Sequence, residues 1–130
     1  QVLKRLHQQK LVEVVEREDM SIVKISEKGK KKLLKFNLEE MELKNKKWDG
    51  KWRIIIYDIY TSKKQEAELF RKTLKRLKFL KLQRSVYLTP FRCYDEIEYL
   101  RQVCNIGKEV LILTVSGLEN ESAYREYFGV

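Results

Sequence analysis

One carboxylate stands where an apolar strand should end. In the run from Trp48 to Ile59, WDGKWRIIIYDI, Asp58 follows Ile54, Ile55, Ile56 and Tyr57 and precedes a segment rich in lysine and arginine. That combination points toward nucleic acid, and the carboxylate is a candidate ligand for a divalent cation. A single carboxylate is a poor metal site, and no second one stands in an obvious place, since Asp49 falls in a turn and Glu66 on the next helix. The alternative is that Asp58 ends the strand, caps the loop or pairs with Arg84, and both readings stay open. Other chemistries have too few participants. The lone histidine, His7, leaves a Ser-His-Asp triad or a zinc site without partners, and the five glycines are scattered instead of forming a phosphate loop. Cys93 and Cys104 lack CxxC spacing and read as reduced thiols.

The cations are unevenly distributed. The net charge is +9, but residues 1–84 hold 24 Lys and Arg against 12 acids, a balance of +12, and residues 85–130 hold 4 against 7, a balance of −3. A polyanion, with duplex DNA favoured, is the usual partner of such asymmetry, because each neutralised phosphate releases counterions. A lysine-rich solvated surface is the competing reading. A hydrophobic content of 43% suffices for a core. No long uncharged apolar run or signal-peptide pattern is present, so a cytoplasmic location away from membranes is expected. The missing initiating Met suggests a fragment.

These residues need elements to position them. Val2, Leu3 and Leu6 recur at helical spacing, Leu11–Arg17 and Ser21–Ile25 read as a two-stranded ribbon, and Ser26 can cap a helix through Leu33, Leu34 and Phe36 to about Leu43. The Asp49-Gly50 pair and the basic stretch around it predict a tether, with Trp48 and Trp52 fixing two domains together. Strand 53–59 is followed by a helix opened by Ser62-x-x-Gln65, with Ala67, Phe70, Leu74 and Leu77 on one stripe. Leu80–Gln83 and Ser85–Thr89 read as two short strands or one bent strand. Asp95-x-x-Glu98 opens a second helix that stops at Asn105-Ile106-Gly107, a strand covers Glu109–Val115, and a short helix lies around Ser122–Phe128. The order strand, helix, strand, strand, helix, strand predicts an α+β chain: a partial winged helix, then a ferredoxin-like (βαββαβ) antiparallel sheet. The expected boundaries are 1–43 for the first domain, 44–51 for the linker, 52–116 for the sheet domain and 117–130 for the tail. The unbroken apolarity of the first sheet strand predicts burial on both faces.

Leu3-x-x-Leu6, Leu11-Val12-Glu13 and Ile25-Ser26-Glu27-Lys28-Gly29 resemble the second half of a winged-helix domain. That resemblance implies that Lys4, Arg5, Gln8, Lys10, Arg17 and Lys24 touch phosphate or groove. The strand ending Tyr57-Asp58-Ile59, the cationic helix and the Lys81-Leu82-Gln83-Arg84-Ser85-Val86-Tyr87 segment are similar to the CRISPR-associated Cas2 family. With the preceding Trp48-Asp49-Gly50-Lys51-Trp52-Arg53 and the winged helix, the chain resembles the PaaX family of transcriptional repressors, in which a Cas2-like domain follows a winged helix. The PaaX resemblance implies a homodimeric DNA-binding regulator without a cofactor. Ile55, Tyr57, Arg84, Ser85 and Tyr87 would then lie at the dimer seam, and Lys63, Lys64, Arg71, Lys72, Lys75 and Arg76 would track phosphates. The Cas2 resemblance implies the alternative, a nuclease or adaptation subunit in which Asp58 of two copies faces across a homodimer and holds Mg²⁺ or Mn²⁺ that activates water for phosphodiester cleavage, with an integrase as companion.

Overall fold

The computed structural model describes residues 12–17 and 20–130. The helix expected over residues 1–9, with Lys4, Arg5, His7, Gln8 and Lys10, lies outside the described residues, as do the side chains of Arg17 and Lys24. Two compact units divide the chain, Gln1–Glu40 and Met41–Val130.

In the first unit, β1 (Val12–Arg17) and β2 (Met20–Ile25) pair antiparallel from Val12 opposite Ile25 to Arg17 opposite Met20. Helix α1 (Glu27–Glu40) follows at once. Ser26 caps it: its Oγ accepts the Gly29 N–H at 3.0 Å, and its carbonyl takes the first helical bond from Lys30 at 2.8 Å. The helix ends at Glu40, short of the expected Leu43.

The second unit begins with the segment expected as a tether, and that segment is fastened down. Leu43 is buried, and the Lys44 N–H donates to the buried Glu96 carboxylate at 3.0 Å. Strands β3 (Trp52–Tyr57), β4 (Leu80–Gln83), β5 (Val86–Thr89) and β6 (Val110–Val115) form one sheet in the order β4-β5-β3-β6, with every pair antiparallel. This order is compatible with a ferredoxin-type domain. Two strands, not one bent strand, occupy 80–89, joined by a turn at Arg84-Ser85 in which Ser85 takes a φ of 67°.

Helix α2 (Lys64–Arg76) is preceded by a tight turn, Thr61–Lys63, that draws in Ser62. The expected Ser62–Gln65 capping box is therefore not formed. Helix α2 stops where Lys78 turns left-handed (φ 64°), with the Phe79 and Lys78 N–H groups donating to the carbonyls of Leu74 and Lys75. Helix α3 (Tyr94–Cys104) begins one residue before Asp95, so Asp95 is no cap. It sits in the first turn with Glu96, where negative charge complements the helix dipole. Asn105 ends α3 in the left-handed region, as its position in Asn105-Ile106-Gly107 predicted. Helix α4 (Glu121–Phe128) closes the chain.

Alternation along β3 separates the two faces of the sheet. Ile55 and Tyr57 turn to the side of α2, where the Tyr57 ring meets Phe70 edge-on at 5.0 Å and Leu74 is fully buried. Ile54 and Ile56 turn to the other side and are only half-buried, opposite Leu113 and Leu111 of β6, which are 44% and 60% exposed. Burial on both faces of β3 is thus only partly achieved within one chain.

Cys93 and Cys104 are free and buried. Burial pushes their thiols up to about 12 and about 11, with Glu96 adding to the shift at Cys93 and Glu66 at Cys104. Neither thiol should react with a disulfide reagent at pH 8 in the native protein, and both should react in denaturant; native labelling at the free-thiol rate would contradict this packing.

Candidate nucleic-acid interface

Helix α2 is two-sided because its apolar residues recur every three or four positions. Ala67, Phe70 and Leu74 are buried against the sheet, and Lys64, Arg71, Lys72, Lys75 and Arg76 are exposed on the outside. Lys72 pairs with the helix's own Glu68 at 3.9 Å, on the surface. Lys63 is placed differently from its neighbours. Its ammonium donates to the Asn105 carbonyl at 2.7 Å and to the Glu109 carboxylate at 3.0 Å, so it fastens α2's leading turn to the α3–β6 loop. That hydrogen bond, helped by a backbone one, holds the Glu109 carboxyl below the usual range.

Lys81, which the sequence reading left out of the contact set, joins this cationic surface from β4. Helix α2 and the β4–β5 edge enclose a cleft of about 550 Å³ lined by Arg71, Lys72, Lys75 and Lys81, with Glu68, Phe79 and Tyr87. The alternation Leu80-Lys81-Leu82-Gln83 was the available signal, and in the structure Lys81 is turned outward beside the helix. Burial and the neighbouring Tyr57 raise the Tyr87 hydroxyl's pKa, and Arg71 offsets part of that rise.

Asp58 is exposed at the end of β3, and its N–H donates to the Glu109 carbonyl at 2.8 Å. Among the described residues no ion pair joins it to Arg84, and no group of three or more His, Cys, Asp or Glu side chains gathers to hold a metal. The five residues expected at a seam separate. Ile55, Tyr57 and Tyr87 lie in the chain's own core, and Arg84 and Ser85 lie at the hairpin turn, exposed and half-buried. A seam across this sheet would have to use the opposite face, one residue out of step along β3.

The Trp48–Arg53 segment is where the unit is clamped. Gly50 takes a φ of 86° that a side chain would strain, and the turn it makes aims Asp49 back at Arg53. The Arg53 guanidinium, almost fully buried, donates to both Asp49 oxygens at 2.8 and 2.6 Å and to the Pro90 carbonyl at 3.0 Å, and Arg92 adds a bond to Asp49 at 3.4 Å. The Arg53 hydrogen bonds hold the Asp49 carboxyl far below the ordinary carboxylate range. The two tryptophans grip the last helix. Trp52 Nε1 donates to Glu121 at 2.7 Å, the Trp52 ring meets Tyr124 and Phe128 at 6.3 and 6.1 Å, and Arg125 lies over Trp48 at 4.7 Å.

A four-stranded antiparallel sheet with a cationic helix, entered through an Asp-Arg clamp interleaved with two tryptophans, defines a small Cas2-like α+β module. The family model described as PaaX protein central Cas2-like domain matches residues 45–126, and the chain belongs to the PaaX family. No curated protein matches it. The match runs from the fastened segment into α4, so both ends of the clamp fall inside it. No helix among the described residues is long and apolar enough to cross a membrane.

Asp49→Ala leaves the Arg53 charge buried without its main partner and should cost about 2 kcal/mol at pH 7; the carboxylate's partial exposure keeps this below the loss for a fully buried pair. Because the folded-state value is depressed, this stabilisation is complete above the carboxylate's ordinary 3.8 and is lost as pH falls below it. Urea midpoints of wild type and variant should therefore differ most near neutrality and converge in acid. A constant gap between the two would disprove the linkage.

Proposed function

We propose that this chain is a DNA-binding transcriptional regulator of the PaaX type, acting in the cytoplasm as a homodimer. The hairpin β1–β2 is the wing of a winged helix, with Lys4, Arg5, Gln8, Lys10, Arg17 and Lys24 toward DNA. The exposed cations of α2, Lys64, Arg71, Lys72, Lys75 and Arg76, add sequence-independent contact to the phosphate backbone. The observation that carries this reading is the order of parts: a hairpin and a Ser26-capped helix stand directly ahead of a PaaX-family Cas2-like module. The dimer reading is supported by the half-open sheet face, where Leu111 and Leu113 are exposed beside Ile54 and Ile56.

The test is incubation of labelled duplex DNA and RNA with the protein, with and without Mg²⁺ or Mn²⁺, scoring retention and cutting together. Duplex DNA should be retained uncut, with a log–log salt slope on the order of −5 for about six phosphate contacts. Cation-dependent cutting that Asp58→Ala abolishes would replace the regulator with a Cas2-like nuclease. For the dimer, sedimentation should give about twice the 15.7 kDa chain mass, and Leu111→Lys with Leu113→Lys should halve it without loss of helix signal. A wild type that sediments as a monomer at ~0.1 mM would refute that arrangement.

A further inference from the structure

The cationic surface of the second unit has a concave part, lined by three of the α2 cations proposed above to touch phosphate and by a fourth, Lys81, that is not among them. Arg71, Lys72 and Lys75 of α2 face Lys81 of β4 across the cleft of about 550 Å³. Glu68 is the one acid in its lining, and it stands 3.9 Å from Lys72 at the surface. No carboxylate approaches Arg71, Lys75 or Lys81 within ion-pair distance among the described residues. Phe79 and Tyr87, each 5% exposed, form the floor.

Like charges gathered around one hollow repel each other, and a bound anion relieves that repulsion. The ligand's chemistry follows from the donors. Arginine offers a planar fork that matches two phosphate oxygens, and lysines supply point charges that adapt to further oxygens. The ring floor excludes water from one side, which strengthens each of these contacts. The volume is that of a small-molecule site. A duplex presents a convex ridge of phosphates, which meets the protruding α2 residues without filling a hollow.

We propose that the cleft between α2 and β4 binds a small, multiply charged phosphate ester of the size and charge of a nucleoside triphosphate. Lys81 is the distinguishing residue, since it lines the cleft from the strand and is not among the α2 residues assigned to the DNA backbone.

The test is calorimetric titration of the full chain with adenosine triphosphate and with inorganic tripolyphosphate at about 0.15 M salt, where loose charge attraction is screened. Saturable one-to-one binding is expected. Lys81→Gln should weaken it about tenfold, Lys81→Arg should restore it to within about twofold, and Lys47→Gln, an exposed charge change away from the cleft, should leave it unchanged. Thermal midpoints equal to wild type establish that the variants are folded. Absence of saturable binding, equal weakening by Lys47→Gln and Lys81→Gln, or no effect of Lys81→Gln would each overturn the proposal. A parallel arm with a 20-base-pair duplex separates the two readings. If Lys81→Gln weakens duplex retention as much as triphosphate binding, the cleft belongs to a nucleic-acid groove and the small-ligand site is refuted. If the wild type binds triphosphate but retains no duplex, the regulator reading falls and this site stands.

Discussion

A guanidinium buried at the start of a sheet must be paired, and meeting that requirement organises the second unit. Taking a charge out of water costs several kcal/mol unless hydrogen bonds and an opposite charge replace the lost hydration. Arg53 receives both from Asp49, and this pairing needs the left-handed turn at Gly50, fixes where β3 begins and ties the Pro90 carbonyl to the same group. Trp52, the preceding residue, points to the opposite face and there holds α4 through Glu121, Tyr124 and Phe128. Two adjacent residues thus fix both sides of the sheet at one end. Among the described residues the Arg53 Nε has no hydrogen-bond partner, so the fork to Asp49 and the carbonyl bonds must compensate that group as well.

The cationic face of α2 is sustained by the stripe behind it. Arg71 and Lys75, and likewise Lys72 and Arg76, stand four residues apart, where like charges disfavour a helix by a few tenths of a kcal/mol per pair. Burying a side chain such as Phe70 or Leu74 contributes about 2 kcal/mol each. Packing outweighs repulsion by a wide margin, so the helix can carry a concentrated positive face at little cost to the fold.

Much of this was legible in the sequence because it is periodic. The stripe of α2, the cap at Ser26, the stop at Asn105 and the order of sheet elements follow from spacing and from residues with strong local preferences. What was not legible depends on contacts distant in sequence. Lys63 looks like any other lysine of its helix until the fold brings Asn105 and Glu109 to it, 42 and 46 residues away. Trp52 meets Glu121 across 69 residues, and Lys44 meets Glu96 across 52, so a segment with the composition of a linker is in fact fastened. The Ser62 capping box failed for a local reason: the signal was present, but the preceding turn tightened and absorbed the serine.

The continuous apolarity of β3 divides into two parts with different physical explanations. Ile55 and Tyr57 are accounted for by the chain's own helices, which bury them. Ile54 and Ile56 are not, because α4 covers this face only around Trp52 and their partners Leu113 and Leu111 remain exposed. An antiparallel sheet with one solvated face normally alternates apolar and polar residues along each strand. Here the alternation is suppressed on the face where water would require it, across two neighbouring strands in register. Chance exposure of single leucines is ordinary, but four aligned aliphatic positions on one open surface are what a second covering layer would select. The paired-copy proposal rests on that surplus, which lies on the even-numbered residues of β3, since Ile55 and Tyr57 are buried in the chain's own core.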